Sequence, residues 1–225
     1  MVSVRFFAAF AAALFASSSI PAFAGDDIGK PAELITAAEQ TFKDFVADPD
    51  MKWFHSNVKN ARGVFIVPRL LKAGFIFGAS GGSGALFVRN EKSNMWSYPA
   101  FYTMGSGSFG LQAGVQAAEV ILMVMTQKGL DAMLSTKFQL GADASIAVGP
   151  IGAGAQAATV DILQFARTKG VFGGISAEGA AIAIRDKWNE EYYGKPVQPT
   201  DILVIRNISN PGADELRKLI SQAGR

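Results

Sequence analysis

Between residues 31 and 46 apolar side chains recur at helical spacing: Leu34, Ile35, Ala38, Phe42, Phe45 and Val46 form one stripe, with Glu33, Glu39, Lys43 and Asp44 elsewhere on the surface. The spacing predicts a helix that stops at Asp48-Pro49, because the residue before a proline is driven out of the helical region. Its polar face is more acidic than basic. Lipid-surface helices carry Lys and Arg there, so docking on the protein's own core is expected. A short second helix over residues 51–60 would carry Trp53 and Phe54.

Strand patterns then dominate. Phe138, Leu140, Ala142, Ala144, Ile146 and Val148 alternate with Gln139, Gly141, Asp143 and Ser145, as on a half-buried strand. Trp96, Tyr98 and Tyr102 read as one face of another strand, with Pro99 at an edge or bend. Residues 120–125 are apolar throughout, as a central strand would be, and residues 160–167 and 180–185 complete the set. Residues 127–136 predict a connecting helix. Asn210-Pro211 caps a last one, with Asp214 and Glu215 in its first turn and Leu216, Leu219 and Ile220 on one face. The fold class expected is α+β: an antiparallel barrel or sandwich with N-terminal, connecting and C-terminal helices packed outside.

The most distinctive stretch is residues 63–90, read as two apolar strands, a basic link (Arg69, Lys72) and a glycine-rich turn. Its second half has an echo. Gly74, Gly78, Ser80, Ala85, Arg89 and Asn90 meet Gly170, Gly174, Ser176, Ala181, Arg185 and Asp186 at one offset. Two related halves sharing a hairpin would produce this, and so would chance alignment in a chain rich in Gly and Ala.

Composition and charge sharpen the picture. The chain has 225 residues, 49% of them hydrophobic, and 24 Gly and 17 Phe favour strands and tight turns. Residues 1–24 read as a cleavable signal peptide: Arg5, an apolar run over 6–16, and Ala22-Phe23-Ala24 before Gly25. Residues 25–225 would then form one domain, exported to the periplasm. With no Cys there are no disulfides, so stability rests on packing. Net charge is only +2. Yet residues 51–90 carry Lys52, Lys59, Arg62, Arg69, Lys72 and Arg89 with no Asp or Glu, giving a basic front and a mildly acidic remainder.

Enzyme motifs are present only in fragments. Gly78-Ala79-Ser80-Gly81-Gly82 fits a nucleophile elbow, but the one His, His55, lies upstream, where that fold needs it downstream. Gly105-Ser106-Gly107-Ser108-Phe109-Gly110 fits a dinucleotide fingerprint without room for the helix that should follow. One His and no Cys leave no His/Cys metal site. Glu119, Asp143, Asp161 and Glu178 are candidate acid/base groups that nothing in the sequence pairs. Glu190 and Glu191 would point to opposite faces of a strand.

Several motifs in order carry a family resemblance: Lys72-Ala73-Gly74-Phe75, residues 81–89, Trp96-Ser97-Tyr98-Pro99-Ala100, residues 107–114, Leu140-Gly141-Ala142, Gly149-Pro150-Ile151-Gly152, residues 168–174 and residues 189–194. Over residues 32–204 the chain resembles the SYLF domain, also called the Ysc84-type actin-binding domain. The resemblance implies a lipid-binding module, not an enzyme, and no cofactor. For an exported bacterial member it implies an anionic phospholipid or membrane surface as partner, with no nucleic acid and no actin. The residues expected to meet head groups are Lys52, Lys59, Arg62, Arg69 and Lys72, with Trp53 and Phe54 as aromatics at the membrane interface. On the residues alone, an envelope protein-interaction module with no direct lipid binding stays open. So does a purely structural role for Arg62, Arg89 and the aromatics.

Overall fold

The computed structural model describes residues 30–74, 77–109, 114–149, 160–168, 171–172 and 176–223. The expected signal peptide and its cleavage site lie outside the described residues, as do residues 150–152 of the Gly-Pro-Ile-Gly motif.

Helix α1 (Pro31–Ala47) forms as predicted, with Pro31 in its first turn and Asp48-Pro49 at its end. It buries Leu34, Ile35, Ala38, Phe42 and Phe45, while Val46 stays exposed. α2 (Lys52–Asn57) follows, flanked by 3-10 turns at Pro49–Met51 and Val58–Asn60. Four long strands come next: β1 (Gly63–Gly74), β2 (Phe77–Val88), β3 (Ala100–Phe109) and β4 (Gly114–Val124). The rest is α3 (Gln127–Leu134), β5 (Lys137–Gln139), β6 (Ile146–Val148), β7 (Ile162–Thr168), β8 (Val171–Phe172), β9 (Ala181–Ile184), α4 (Asp186–Tyr193) and α5 (Asp214–Ala223).

The strands form one sheet in the order β5-β9-β3-β2-β1-β4-β7-β6, with β8 on β7. It is antiparallel except for β6 on β7, which is parallel. The sheet curls into a half-barrel with the helices flanking it. Both faces are buried at the end of the sheet where β1 begins. On β4, Val120, Leu122 and Val124 enter the core inside the curl. Ile121 and Met123 enter the outer core, under α1, α2, α4 and α5. This double burial explains why residues 120–125 lack polar alternation.

Several sequence expectations are corrected. There is no basic link: Arg69 and Lys72 lie within β1, beside a bulge between Val67 and Leu70. The glycine-rich turn is the middle of β2. A Cβ on Gly82 would collide with the Arg69 carbonyl at that bulge, and one on Gly84 would lie 2.5 Å from the Phe65 ring. The echo is not a repeated hairpin, because its first copy is β2 and its second is divided between β8 and β9. Residues 138–148 are not one strand. Gly141 turns the chain at φ +88°, and β5 and β6 end up at opposite ends of the sheet order. Trp96 packs in the outer core and Tyr102 in the inner one, so they share no face. Glu190 and Glu191 lie on α4.

Candidate functional site

The basic stretch does not form one surface. Lys72 pairs in register with Gln116 and Ser80, far along β1 from Arg62, which immediately precedes the strand. Ten residues of strand separate them, about 33 Å. Lys52 and Lys59 are exposed on α2 and the 3-10 turn after it. Arg62 is ion-paired with Glu91 and donates to Gln127 Oε1 (3.1 Å). Arg69 is exposed on β1. The aromatic expectation is corrected for Phe54, while Trp53 is half-buried. Phe54 is fully buried against Phe42, Phe45 and Phe165, and Trp53 stacks on Phe165 with ring centroids 6.0 Å apart. Phe54, enclosed in the core, cannot reach a membrane interface.

The end of the sheet where β1 begins and β2 ends carries a different constellation. Arg206 is its centre. Burial, then the charge of Arg217, pushes its guanidinium down from the usual arginine range. It donates to the carbonyls of Leu203 (3.1 Å), Met95 (2.8 Å) and Val88 (3.0 Å), tying the π-helical turn Asp201–Ile205 to the loop between β2 and β3. Around this tie Met95, Val204 and Ile205 stand 62%, 54% and 63% exposed, three of the six large apolar side chains exposed among the described residues. Both non-glycine residues with positive φ among the described residues, Asn94 (+55°) and Arg206 (+62°), are here as well. Strained backbone and π-turns persist where the surroundings hold them, commonly at working surfaces.

The same end is basic. Arg89 Nε donates to the Ala61 carbonyl (2.9 Å) and its Nη1 to Asn94 Oδ1 (2.8 Å), joining the Lys59 turn to the loop. Lys92 is exposed on that loop. Lys59, Arg89, Lys92 and Arg206 form no ion pair among the described residues, while Glu91 is occupied by Arg62. Sequence reasoning reached Lys59, Arg62 and Arg89 here. It missed Lys92, Met95, Val204, Ile205 and Arg206, which join them only through tertiary contacts.

Three of the four candidate acid/base carboxylates, Glu119, Asp161 and Asp143, serve structure. Glu119 accepts from Arg167 Nε (2.7 Å) and Thr41 Oγ1 (3.2 Å). Asp161 accepts from Thr126 Oγ1 (2.6 Å), Ser145 N (2.9 Å) and Ser145 Oγ (2.8 Å), which hold its carboxyl down at about 2. Asp143 closes its own turn by accepting from Gln139 N (2.7 Å). His55 Nε2 donates to the Phe45 carbonyl (3.0 Å), tying α2 to α1. Ser80 lies within β2, so no elbow exists, and Gly105 lies within β3. No helix among the described residues is long and apolar enough to cross a membrane.

Comparison with known proteins adds the following. The model of the Ysc84 family, described as Las17-binding protein actin regulator, matches residues 105–223. LAS seventeen-binding protein 3 of Saccharomyces cerevisiae is 28% identical over 91% of this chain and 45% of its own length. Protein YSC84 of the same yeast is 30% identical over 72% of this chain and 36% of its own. SH3 domain-containing YSC84-like protein 1 of Bos taurus is 26% identical over 70% and 47%. The chain thus spans less than half the length of each of these relatives.

Proposed function

This chain belongs to the Ysc84 family, the Las17-binding protein actin regulators, and on that premise we propose that it is a peripheral membrane protein, binding anionic phospholipid through the end of the sheet organised by Arg206. One relative's name describes a binding protein and another's an SH3 domain-containing protein. The observation that carries the reading is the meeting of exposed Met95, Val204 and Ile205 with Lys59, Arg89, Lys92 and Arg206, which form no ion pair among the described residues. Exposed apolar tips ringed by positive charge suit the head-group layer, where the tips lie among acyl chains and the cations among phosphates. Each Lys or Arg near an anionic leaflet contributes about 1 kcal/mol, so Lys59, Arg89, Lys92 and Arg206 together contribute about 4 kcal/mol. Attachment of that strength is reversible and weakens with salt. Arg5, the apolar run over 6–16 and the Ala22-Phe23-Ala24 cleavage pattern support export, so the leaflet proposed is one facing the periplasm, where actin is not available.

Vesicle co-sedimentation tests the reading. The protein should pellet with phosphatidylglycerol-containing vesicles, not with pure phosphatidylcholine, and should be released at high salt. Ile205→Asp, and separately Lys59→Glu with Lys92→Glu, should each reduce the bound fraction severalfold. Unchanged binding by both variants, or equal binding to neutral vesicles, would overturn the reading. Retention of a protein partner by a chain that binds no vesicle would favour an envelope interaction module instead.

A further inference from the structure

At the opposite end of β1 lies a second polar feature, independent of the docking end. Gln116 on β4, Lys72 on β1, Ser80 on β2 and Ser106 on β3 are successive register partners across four neighbouring strands. Neighbouring strands are about 4.8 Å apart, so each side chain adjoins the next. Two residues along each strand, Ala118, Leu70 and Met104 point into the core inside the curl. By the two-residue period the polar row faces the same way, at the rim of that core. A row that continued the core would be apolar, and this one is not.

Its chemistry is one-sided. Lys72 is half-buried, and its ammonium has no hydrogen bond or ion pair among the described residues. Ser80 Oγ and Ser106 Oγ are 2.8 Å apart. One hydroxyl proton serves that bond, and the other is left to donate outward. Gln116 adds an exposed amide. No carboxylate belongs to the row. Glu119 points to the other face, towards Thr41 of α1. One rung deeper, Thr168 pairs with Ala118, and its buried hydroxyl has no hydrogen-bond partner among the described residues. A half-buried ammonium flanked by hydroxyl and amide donors, without a counter-charge, is arranged to receive an oxyanion.

We propose that the row Lys72, Ser80, Ser106 and Gln116 is an oxyanion site that takes a phosphate group, either free or as the head of a single phospholipid molecule. The Lys72 ammonium supplies the charge. The serine pair and Gln116 fix the orientation by hydrogen bonds to the remaining oxygens. The site lies about a strand's length from Arg206 and functions whether or not that end docks on a membrane.

An NMR titration of the whole chain with two probes, inorganic phosphate and water-soluble dihexanoyl phosphatidic acid, tests this. Saturable shifts of the amides around residues 72, 80 and 106 are expected, with affinity at least tenfold weaker in Lys72→Met and in the Ser80→Ala, Ser106→Ala double variant. Lys72→Arg should keep most of the affinity, which separates loss of charge from loss of fold. Phosphatidate binding tenfold tighter than phosphate identifies a lipid head group; equal affinities identify free phosphate. Vesicle sedimentation should be unchanged in Lys72→Met, so failure of membrane docking and failure of this site are distinguishable. The proposal is overturned if neither probe shifts those amides, or if Lys72→Met binds both probes as the parent does.

Discussion

At the residue scale, much of the fold's precision rests on single polar and glycine positions. Asp161 is one. Its carboxylate joins the Thr126 cap of α3 to Ser145, where the chain enters β6. A carboxyl held at about 2, against an ordinary 3.8, favours the folded state. The contribution is complete above the unfolded value and is lost as pH falls through the folded one. Asp161→Asn should therefore cost about 2 kcal/mol at pH 7 in chemical denaturation, and the gap to the parent should close between about pH 4 and pH 2. Gly84 is another. A methyl group there meets the Phe65 ring at 2.5 Å and the Ile66 carbonyl at 2.7 Å, so Gly84→Ala should destabilise by about 1–3 kcal/mol. The glycines of β2 were visible in the sequence, but their reason was not. A glycine run is the ordinary mark of a turn, and only the bulge in β1 and the Phe65 ring show that here it permits close packing within a strand.

At the element scale, α1 shows what periodicity can and cannot predict. Its apolar stripe was legible, and so was its acidic outer face. What the stripe could not show is the polar link to the sheet, where Arg167 on β7 bridges Asp44 on α1 and Glu119 on β4. The three residues are 48 and 123 positions apart along the chain, and no local pattern pairs them. Arg167 is mostly buried, and removing it leaves two carboxylates close together with little water. Arg167→Ala should cost about 3 kcal/mol, and adding Glu119→Gln should recover part of that loss. A thermodynamic cycle by urea denaturation measures both. If α1 were a membrane-inserting helix, the substitution would change lipid binding and leave folding stability untouched. The opposite is expected. The period-two reading of residues 138–148 failed for a related reason, since alternation is equally satisfied by two short strands whose intervening turn, at Gly141, returns the pattern in phase.

At the scale of the whole molecule, the long axis of the half-barrel separates two ends of different character, and this decides how the protein would lie on a membrane. Met95 is at the Arg206 end, beyond the Gly63↔Val88 pair. Val115, 74% exposed, pairs with Ala73 near the other end of β1. About ten residues of strand lie between, about 33 Å, which is as thick as the hydrocarbon core of a bilayer. Docked with that axis upright, the protein touches a leaflet with one end while the other stands clear in water. The charge asymmetry read from residues 51–90 was real, but folding divides it between the ends, a division that only strand register could reveal. The absence of cysteine makes the geometry measurable, because any introduced thiol is the single labelling site. With an environment-sensitive fluorophore on Met95→Cys, anionic vesicles should shift emission to the blue, and spin-labelled lipid should quench it. The same label on Val115→Cys should show neither effect. Insertion at Val115 instead would reverse the docking polarity and bring the Lys72 row, not Arg206, to the membrane; quenching at both positions would mean that the protein lies flat, along the strands.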